Sequence, residues 1–209
     1  MPIIKAIDIS CQRGNYSLFE LVSFTLEKGE SLLISGVNGI GKTTLLESIA
    51  GLRAIQLGSV SFNGQNLAQF KDDWFEQSLF IGHKTGNKKE LNCLENLMSF
   101  LQIQGHSVSK QQAEEALDNI GLAGYEYQLA GSLSAGQKKR LALARLELVD
   151  CPIWILDEPF VNLDKAGCGW LLGVLQAHVD NDGILIITAH DNLAIRNKIT
   201  RELILEPVE

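Results

Sequence analysis

The sequence contains no C-x-x-C pair, although it has four cysteines, Cys11, Cys93, Cys151 and Cys168. Paired motifs of that kind build structural zinc sites, and cysteines at regular spacings build the disulfide frameworks of small secreted domains. The scattered positions argue against both arrangements and predict free, buried thiols in a reducing compartment. The chain also lacks C-x-x-C-H, so it carries no motif for covalent haem attachment.

Long apolar runs and an excess of positive charge are missing as well. No stretch approaches the roughly eighteen apolar residues of a membrane-spanning helix, and the start, MPIIKAIDIS, lacks the apolar core of a signal peptide. The net charge of −7 argues against a general affinity for nucleic acid. We therefore expect a cytosolic protein that reaches a membrane only through a partner.

A glycine-rich segment is the strongest motif present. Ser31–Ser35 is a short apolar run typical of a buried strand, and Gly36–Thr43 follows as GVNGIGKT, a full match to G-x-x-x-x-G-K-[ST]. Apolar residues then recur at helical spacing up to Gly51, where a helix would end. This order of strand, loop and helix is the context that a phosphate-binding loop requires.

The chemistry of this loop follows from its residue types. Glycines let successive backbone N–H groups face inward, and the helix N-terminus adds partial positive charge. Lys42 can reach the β- and γ-phosphates, and the Thr43 hydroxyl can ligate Mg²⁺. We therefore predict that the chain binds a nucleoside triphosphate through a continuous run of residues: Gly36, Val37, Asn38, Gly39, Ile40, Gly41, Lys42, Thr43 and Thr44.

Two carboxylates end a second apolar run, Ile153–Leu156. Parallel strands present ligand-binding residues at their C-terminal ends, so Asp157 and Glu158 should emerge beside the phosphates. Asp157 is then placed to hold Mg²⁺, and Glu158 to polarise the attacking water as a general base. A solvated acidic turn is the alternative. His190 follows a third apolar run, Ile184–Ala189, and by this parallel is a candidate catalytic residue rather than a capped surface histidine.

Leu133–Gln137 precedes a helix rich in lysine and arginine. A glycine-bearing helix N-terminus suits an anion, but the same residues are also consistent with a simple capped helix that has a solvated basic face.

The order of the predicted elements indicates an α/β fold. With 209 residues, the chain suits one domain or one core with an inserted lobe. Residues 1–82 and 151–209 carry the strand signals, with turns predicted at Gly14-Asn15 and Asn63-Gly64. Residues 83–150 are helical in character, with a capping box predicted at Ser109 and Gln112 and a helix over 135–149. We therefore predict one domain: a mixed-sheet α/β core of the P-loop NTPase type, with an N-terminal antiparallel β portion and an inserted helical subdomain.

Along nearly its whole length the chain resembles the ATP-binding-cassette (ABC) ATPases, on the phosphate loop, the Leu133–Gln137 signature, Asp157-Glu158, Asp164 and His190. The resemblance implies ATP hydrolysis by a head-to-tail dimer, with each ATP lying between one subunit's phosphate loop and the other's signature. It also implies that Ser134, Gly136 and Gln137 belong to the nucleotide site of the opposite chain. By the same resemblance Asp164 couples the two sites and His190 bonds the γ-phosphate.

Two positions depart from the family's usual pattern. His83 stands where most relatives have a glutamine that bridges Mg²⁺ and the lobe facing the membrane partner, and histidine is a poor Mg²⁺ ligand. Arg13 stands nearest to the usual adenine-stacking tyrosine, with Tyr16 as the nearest aromatic residue. Since a planar guanidinium can stack on a base, we favour Arg13.

The run from Gly82 to Leu97 is similar to the ATPases of the bacterial cytochrome c maturation system. This resemblance implies an ATPase subunit bound to integral membrane permease subunits at the cytoplasmic face of the inner membrane. Its work would be haem export or the ATP-driven release of a haem-loaded chaperone. The alternatives are the ATPase of another ABC importer or exporter, for which glutamine is expected in place of His83, and a soluble ABC ATPase.

Overall fold

The structure is a computed structural model that describes residues 3–13, 16–19, 21–189 and 193–207. Its strands are β1 (Ile3–Ser10), β2 (Gln12–Arg13), β3 (Tyr16–Ser17), β4 (Val22–Glu27), β5 (Ser31–Ser35), β6 (Leu57–Phe62), β7 (Gln65–Asn66), β8 (Ser78–Ile81), β9 (Ile153–Asp157), β10 (Ile184–Thr188) and β11 (Arg201–Ile204). Its α-helices are α1 (Lys42–Ile49), α2 (Lys71–Gln77), α3 (Cys93–Ile103), α4 (Lys110–Asn119), α5 (Ala135–Leu143), α6 (Lys165–Asp180) and α7 (Leu193–Arg196).

The chain divides into two compact units. The first comprises residues 1–80, 151–158 and 176–209, and the second comprises 81–150 and 159–175. The α/β class that we predicted is confirmed, with the antiparallel and the parallel strands in separate sheets.

A five-stranded sheet in the order β11-β5-β10-β9-β8 forms the centre of the first unit. The pairs from β11 to β9 are parallel, and every residue of β5, β9 and β10 is buried. Burial on both faces explains why these strands are continuous apolar runs rather than alternating ones. In the register of β9 and β10, Thr188 lies opposite Asp157, so a hydroxyl and a carboxylate meet at the C-terminal edge of the sheet.

A four-stranded antiparallel sheet, β4-β1-β6-β7, completes the first unit. Its apolar side chains and those of α1 belong to one buried cluster with residues of β5, β9 and β10. Asn63 and Gly64 both have positive φ, 51° and 81°, and join β6 to β7 as the tight turn that we predicted. The loop entering α1 is thereby fixed against a continuous apolar core.

The helices α3, α4 and α5 of the second unit each begin with a capping box. In each box the cap side chain accepts the N–H of the third helical residue, whose own side chain accepts the cap N–H, so two otherwise unpaired donors are satisfied. We predicted the box of Ser109 and Gln112 at the start of α4, and it is confirmed.

One predicted helix is shorter than we expected. The run 135–149 is α-helical only as far as Leu143 and continues as a 3₁₀ turn over Ala144–Glu147. The Glu147 carboxylate then accepts hydrogen bonds from Asn119 and Trp170. The turn predicted at Gly14-Asn15 lies outside the described residues.

The four cysteines form no disulfide with one another; Cys11, Cys93 and Cys151 are buried, and Cys168 is half-buried rather than buried as we expected. Among the described residues, no helix is both long enough and apolar enough to span a membrane.

Candidate nucleotide-binding site

The phosphate loop connects β5 to α1 through three glycines in conformations that other residues adopt only with strain. Gly36, Gly39 and Gly41 have φ of 139°, 83° and 114°. At Gly36 a Cβ atom would lie 2.9 Å from the Leu205 carbonyl oxygen, so space as well as φ demands glycine. The loop residues Val37, Asn38 and Gly39 are exposed, which leaves their backbone open to a ligand.

Lys42 begins α1, and its side chain returns to the loop. Its Nζ donates to the carbonyl oxygens of Gly36 and Val37, at 2.7 and 3.2 Å. The residue is only 8% exposed, so the ammonium group is held against the loop. A positive charge so fixed among the loop glycines suits a phosphate ligand.

The Asp157 carboxylate lies at the end of β9 and accepts two hydroxyl groups. Thr43 donates to its Oδ2 at 2.8 Å, and Thr188 donates to its Oδ1 at 2.7 Å. Asp157 is 1% exposed, and its carboxylate thus joins α1, β9 and β10. A buried carboxylate must be hydrogen-bonded to offset its loss of hydration, and these two threonines supply that compensation.

Glu158 follows directly, with a backbone that few non-glycine residues adopt, at φ 45°. Its N–H donates to the Thr188 hydroxyl at 2.9 Å, and the residue is half-buried. The turn out of β9 is therefore tied to β10 through Thr188. Strained backbone of this kind is typical of functional sites, where neighbouring bonds hold it in place.

The oxygens of Thr43 and Asp157 fit a magnesium site. A hydroxyl and a carboxylate 2.8 Å apart form a hard-oxygen pair, and Mg²⁺ is bound through one or two protein ligands together with phosphates and water. Among the described residues, no group of three or more His, Cys, Asp and Glu side chains could hold a metal. The two-residue pair is therefore consistent with a metal that enters with a triphosphate.

The signature residues form the start of α5 in the second unit. Ser134 Oγ accepts the Gln137 N–H at 3.2 Å, and Gln137 Oε1 accepts the Ser134 N–H at 2.9 Å. The serine hydroxyl proton is not used by this box and can be donated to a ligand. A Cβ atom on Gly136 would lie 2.7 Å from the Asn162 carbonyl oxygen, so a larger residue would displace the turn at Asn162.

Asp164 is fixed by two donors of the same unit. Its Oδ1 accepts the Gly167 N–H at 2.8 Å and Arg140 Nη2 at 2.6 Å. The Gly167 N–H first, and then the charge of Arg140, hold the pKa of Asp164 below its ordinary value. Arg140 also donates to the Ile120 carbonyl oxygen, so the basic face of α5 is not simply solvated.

The structure brings together only part of the predicted site. In the first unit, Thr43 and Asp157 share one bonded network, and Glu158 joins it through Thr188. Lys42, next to Thr43 in the chain, bonds to the carbonyl oxygens of the phosphate loop. His83 is exposed and belongs to the second unit.

Two predicted residues cannot be placed by their side chains. His190 and the side chain of Arg13 lie outside the described residues, although the backbone register pairs Arg13 with Tyr16.

Two contributors were absent from our sequence prediction. Thr188 was recognised only as the end of a strand, and Arg140 only as part of a basic face. The pairing of two parallel strands in register is the one signal that could have singled out Thr188, since it is the residue opposite Asp157.

Comparison with known proteins agrees with this geometry. The profile of the ABC transporter family matches residues 19–161. A "Cytochrome c biogenesis ATP-binding export protein CcmA" of Hahella chejuensis is 38% identical over 200 residues, which cover 96% of this chain and 94% of the relative. Its namesake in Mannheimia succiniciproducens is 41% identical over 194 residues, covering 91% and 88%.

Solved structures show the same fold. A "Putative ABC transporter (ATP-binding protein)" from Pyrococcus furiosus superposes with a TM-score of 0.83 at 25% identity, covering 97% of each chain. An "ATP binding subunit of ABC transporter" superposes with a TM-score of 0.86 at 24% identity, covering 98% of this chain and 86% of the other.

Replacing Thr188 with valine should loosen the network around Asp157. The change keeps the side-chain shape but removes the donor to Asp157 and the acceptor of the Glu158 N–H, so we expect the free energy of unfolding to fall by about 1–3 kcal/mol. Urea unfolding measures the loss. Thr188→Ser is the control because it retains the hydroxyl, and equal stability of the valine variant and the wild type would contradict the assignment.

The bond from Arg140 should be visible in the titration of Asp164. Because the folded state lowers this pKa, the stabilisation is present above the ordinary carboxyl pKa and is lost as the pH falls through the lower, folded value. NMR of the aspartate carboxyl carbons should therefore show Asp164 titrating below a typical aspartate. Arg140→Gln should move the midpoint upward, and an unmoved midpoint would show that Arg140 does not act on this group.

Proposed function

The chain belongs to the ABC transporter family as an ATP-binding, ATP-hydrolysing subunit, and from this premise we propose that it powers bacterial cytochrome c maturation. The observation that carries the proposal is the high similarity, over more than nine-tenths of this chain, to proteins named for cytochrome c biogenesis and export. The work would be haem export or the ATP-driven release of a haem-loaded chaperone.

We propose the following roles for the phosphate-binding residues. The backbone amides of Gly36–Thr43, together with Lys42, hold the triphosphate, and Thr44 continues the same helix start. Mg²⁺, when bound, would be held by Thr43 and Asp157 and would offset the phosphate charge. This is the electrostatic positioning on which phosphoryl transfer depends.

Glu158 is the proposed general base. Its position next to Asp157, in a turn tied to Thr188, supports this role because such a base must be held within reach of the attacking water. His190 is proposed to contact the γ-phosphate, and Arg13 to stack on the adenine.

We propose that the working unit is a head-to-tail homodimer bound to integral membrane permease subunits at the cytoplasmic face of the inner membrane. Ser134, Gly136 and Gln137 would face the nucleotide of the opposite chain, and the unused hydroxyl proton of Ser134 supports such a contact. Asp164 would couple the two sites. The helical subdomain, residues 83–150, would face the membrane partner, and His83 is its first residue.

The test uses a bacterial strain that lacks the gene, complemented with the wild-type chain or with Glu158→Gln. We expect haem staining of c-type cytochromes to return with the wild type only. The purified Glu158→Gln chain should still bind ATP but hydrolyse it at least about a hundredfold more slowly, because a general base typically contributes that much.

Glu206→Gln, a change of another carboxylate outside the proposed site, is the matched control and should complement fully. Normal cytochromes in the deletion strain, in the absence of a second copy, would overturn the role in cytochrome maturation but leave the ATPase assignment intact. Normal turnover by Glu158→Gln would overturn the general base.

A further inference from the structure

Arg145 is buried without a carboxylate partner. It is 5% exposed, and among the described residues it forms no ion pair, while its Nε has no hydrogen-bond acceptor. Burial lowers the pKa of the guanidinium to about 10, so the group remains charged at neutral pH. A buried charge of this kind is costly unless it is well compensated.

The compensation comes from one short loop. Arg145 Nη1 donates to the Thr85 carbonyl oxygen at 3.2 Å, and Nη2 donates to Asn87 Oδ1 at 3.0 Å. The opposite side of Arg145 packs on the Phe100 ring, with the guanidinium carbon 4.1 Å from the ring centroid. The planar guanidinium thus bonds two acceptors of residues 85–87 in fixed directions, whereas the ammonium group of a lysine could not impose that geometry.

The same loop is tied to the signature helix at a second point. Asn87 Nδ2 donates to the carbonyl oxygen of Lys138, in the first turn of α5, at 2.8 Å. A single amide side chain therefore accepts from Arg145 and donates to α5, the helix that Ser134 caps. We call this arrangement of Arg145 and Asn87 the loop clamp.

Asn96 holds the far end of the loop. Its Oδ1 accepts the Lys88 N–H at 2.7 Å, and its Nδ2 donates to the Lys88 carbonyl oxygen at 3.0 Å. Residues 85–88 are thus bonded at both ends and in the middle to buried side chains of one unit. The exposed residues Gly86 and Lys88 therefore lie on a segment that these bonds fix, directly after the exposed Lys84.

The stability of the fold alone does not explain why a charged arginine is buried at position 145. Apolar residues of similar volume often replace buried charges with no loss of stability, and Arg145 lacks even a counter-charge. The two bonds of the Arg145 guanidinium instead fix the geometry of the loop at Thr85 and Asn87.

We propose that Arg145 is a positioning residue, which makes the segment following His83 and the N-terminus of α5 move as one piece. The signature residues Ser134 and Gly136 would then follow any displacement of that segment, for instance by a permease subunit. This rests on the proposed function, because the segment after His83 is assigned to the membrane partner there.

Two variants of the full-length chain test the loop clamp. Arg145→Met keeps an unbranched chain against Phe100 but removes both bonds to the loop. Asn87→Asp keeps an acceptor for Arg145, replaces the donor to Lys138 with a second acceptor and adds a negative charge beside the guanidinium. Arg201→Met, in which an exposed arginine of the first unit is lost, is the matched control.

Hydrogen exchange of the amides of residues 85–89 is the first measurement. In Arg145→Met we expect exchange at least about tenfold faster than in the wild type, because the loop's anchoring bonds are lost. Unchanged exchange would overturn the loop clamp. Exchange is measured without nucleotide turnover, so it decides this point even if the proposed function is wrong.

Steady-state ATP hydrolysis separates positioning from folding. We expect a KM for ATP within about twofold of wild type and a kcat lower by about tenfold or more, since displaced catalytic groups carry penalties of that size. A loosened loop with an unchanged kcat would overturn the positioning role. The variant that combines Arg145→Met with Asn87→Asp should lose no more kcat than Arg145→Met alone, because both residues belong to the same loop clamp.

Should Arg145→Met fail to fold, Asn87→Asp carries the test. It leaves the buried arginine in place, and the proposal predicts the same unchanged KM with a kcat reduced by a smaller factor. Wild-type kinetics in Asn87→Asp would overturn the link to α5.

Discussion

The first unit depends on one buried carboxylate. Asp157 accepts the hydroxyl of Thr43 at one oxygen and that of Thr188 at the other, so the phosphate loop, the central strand β9 and its neighbour β10 meet at a single side chain. Burying that charge costs free energy, and the hydroxyl groups of both threonines offset part of that cost. The geometry of the loop and of Glu158 follows from this constraint.

In the second unit, hydrogen bonds within the chain fix the N-termini of the helices α3, α4 and α5. Its three capping boxes satisfy the first amides of α3, α4 and α5 from within the chain. In α5 this leaves the Ser134 hydroxyl proton available to a ligand. The Arg140–Asp164 pair and the loop clamp then hold the surroundings of α5 from two sides.

Local patterns predicted most of this architecture. The buried strands were found because burial on both faces leaves continuous apolar runs, as in Ser31–Ser35, and the phosphate loop because its chemistry requires fixed residue types at fixed spacing. The side-chain partners of Asp157, Asp164 and Arg145 could not be predicted in this way, since each of those side-chain pairs joins segments far apart in sequence. The buried state of Arg145 contradicts the solvated basic face that helical periodicity allowed.

Equilibrium binding of ATP to the wild type and to Asp157→Asn, each with and without Mg²⁺, shows whether Asp157 acts on the metal and the triphosphate. We expect Mg²⁺ to tighten ATP binding to the wild type and to the surface control Asp182→Asn. In Asp157→Asn, metal-free ATP should bind as in the wild type while the gain from Mg²⁺ is lost. An equal gain from Mg²⁺ in all three proteins would contradict the assignment of Asp157 to the metal and the triphosphate.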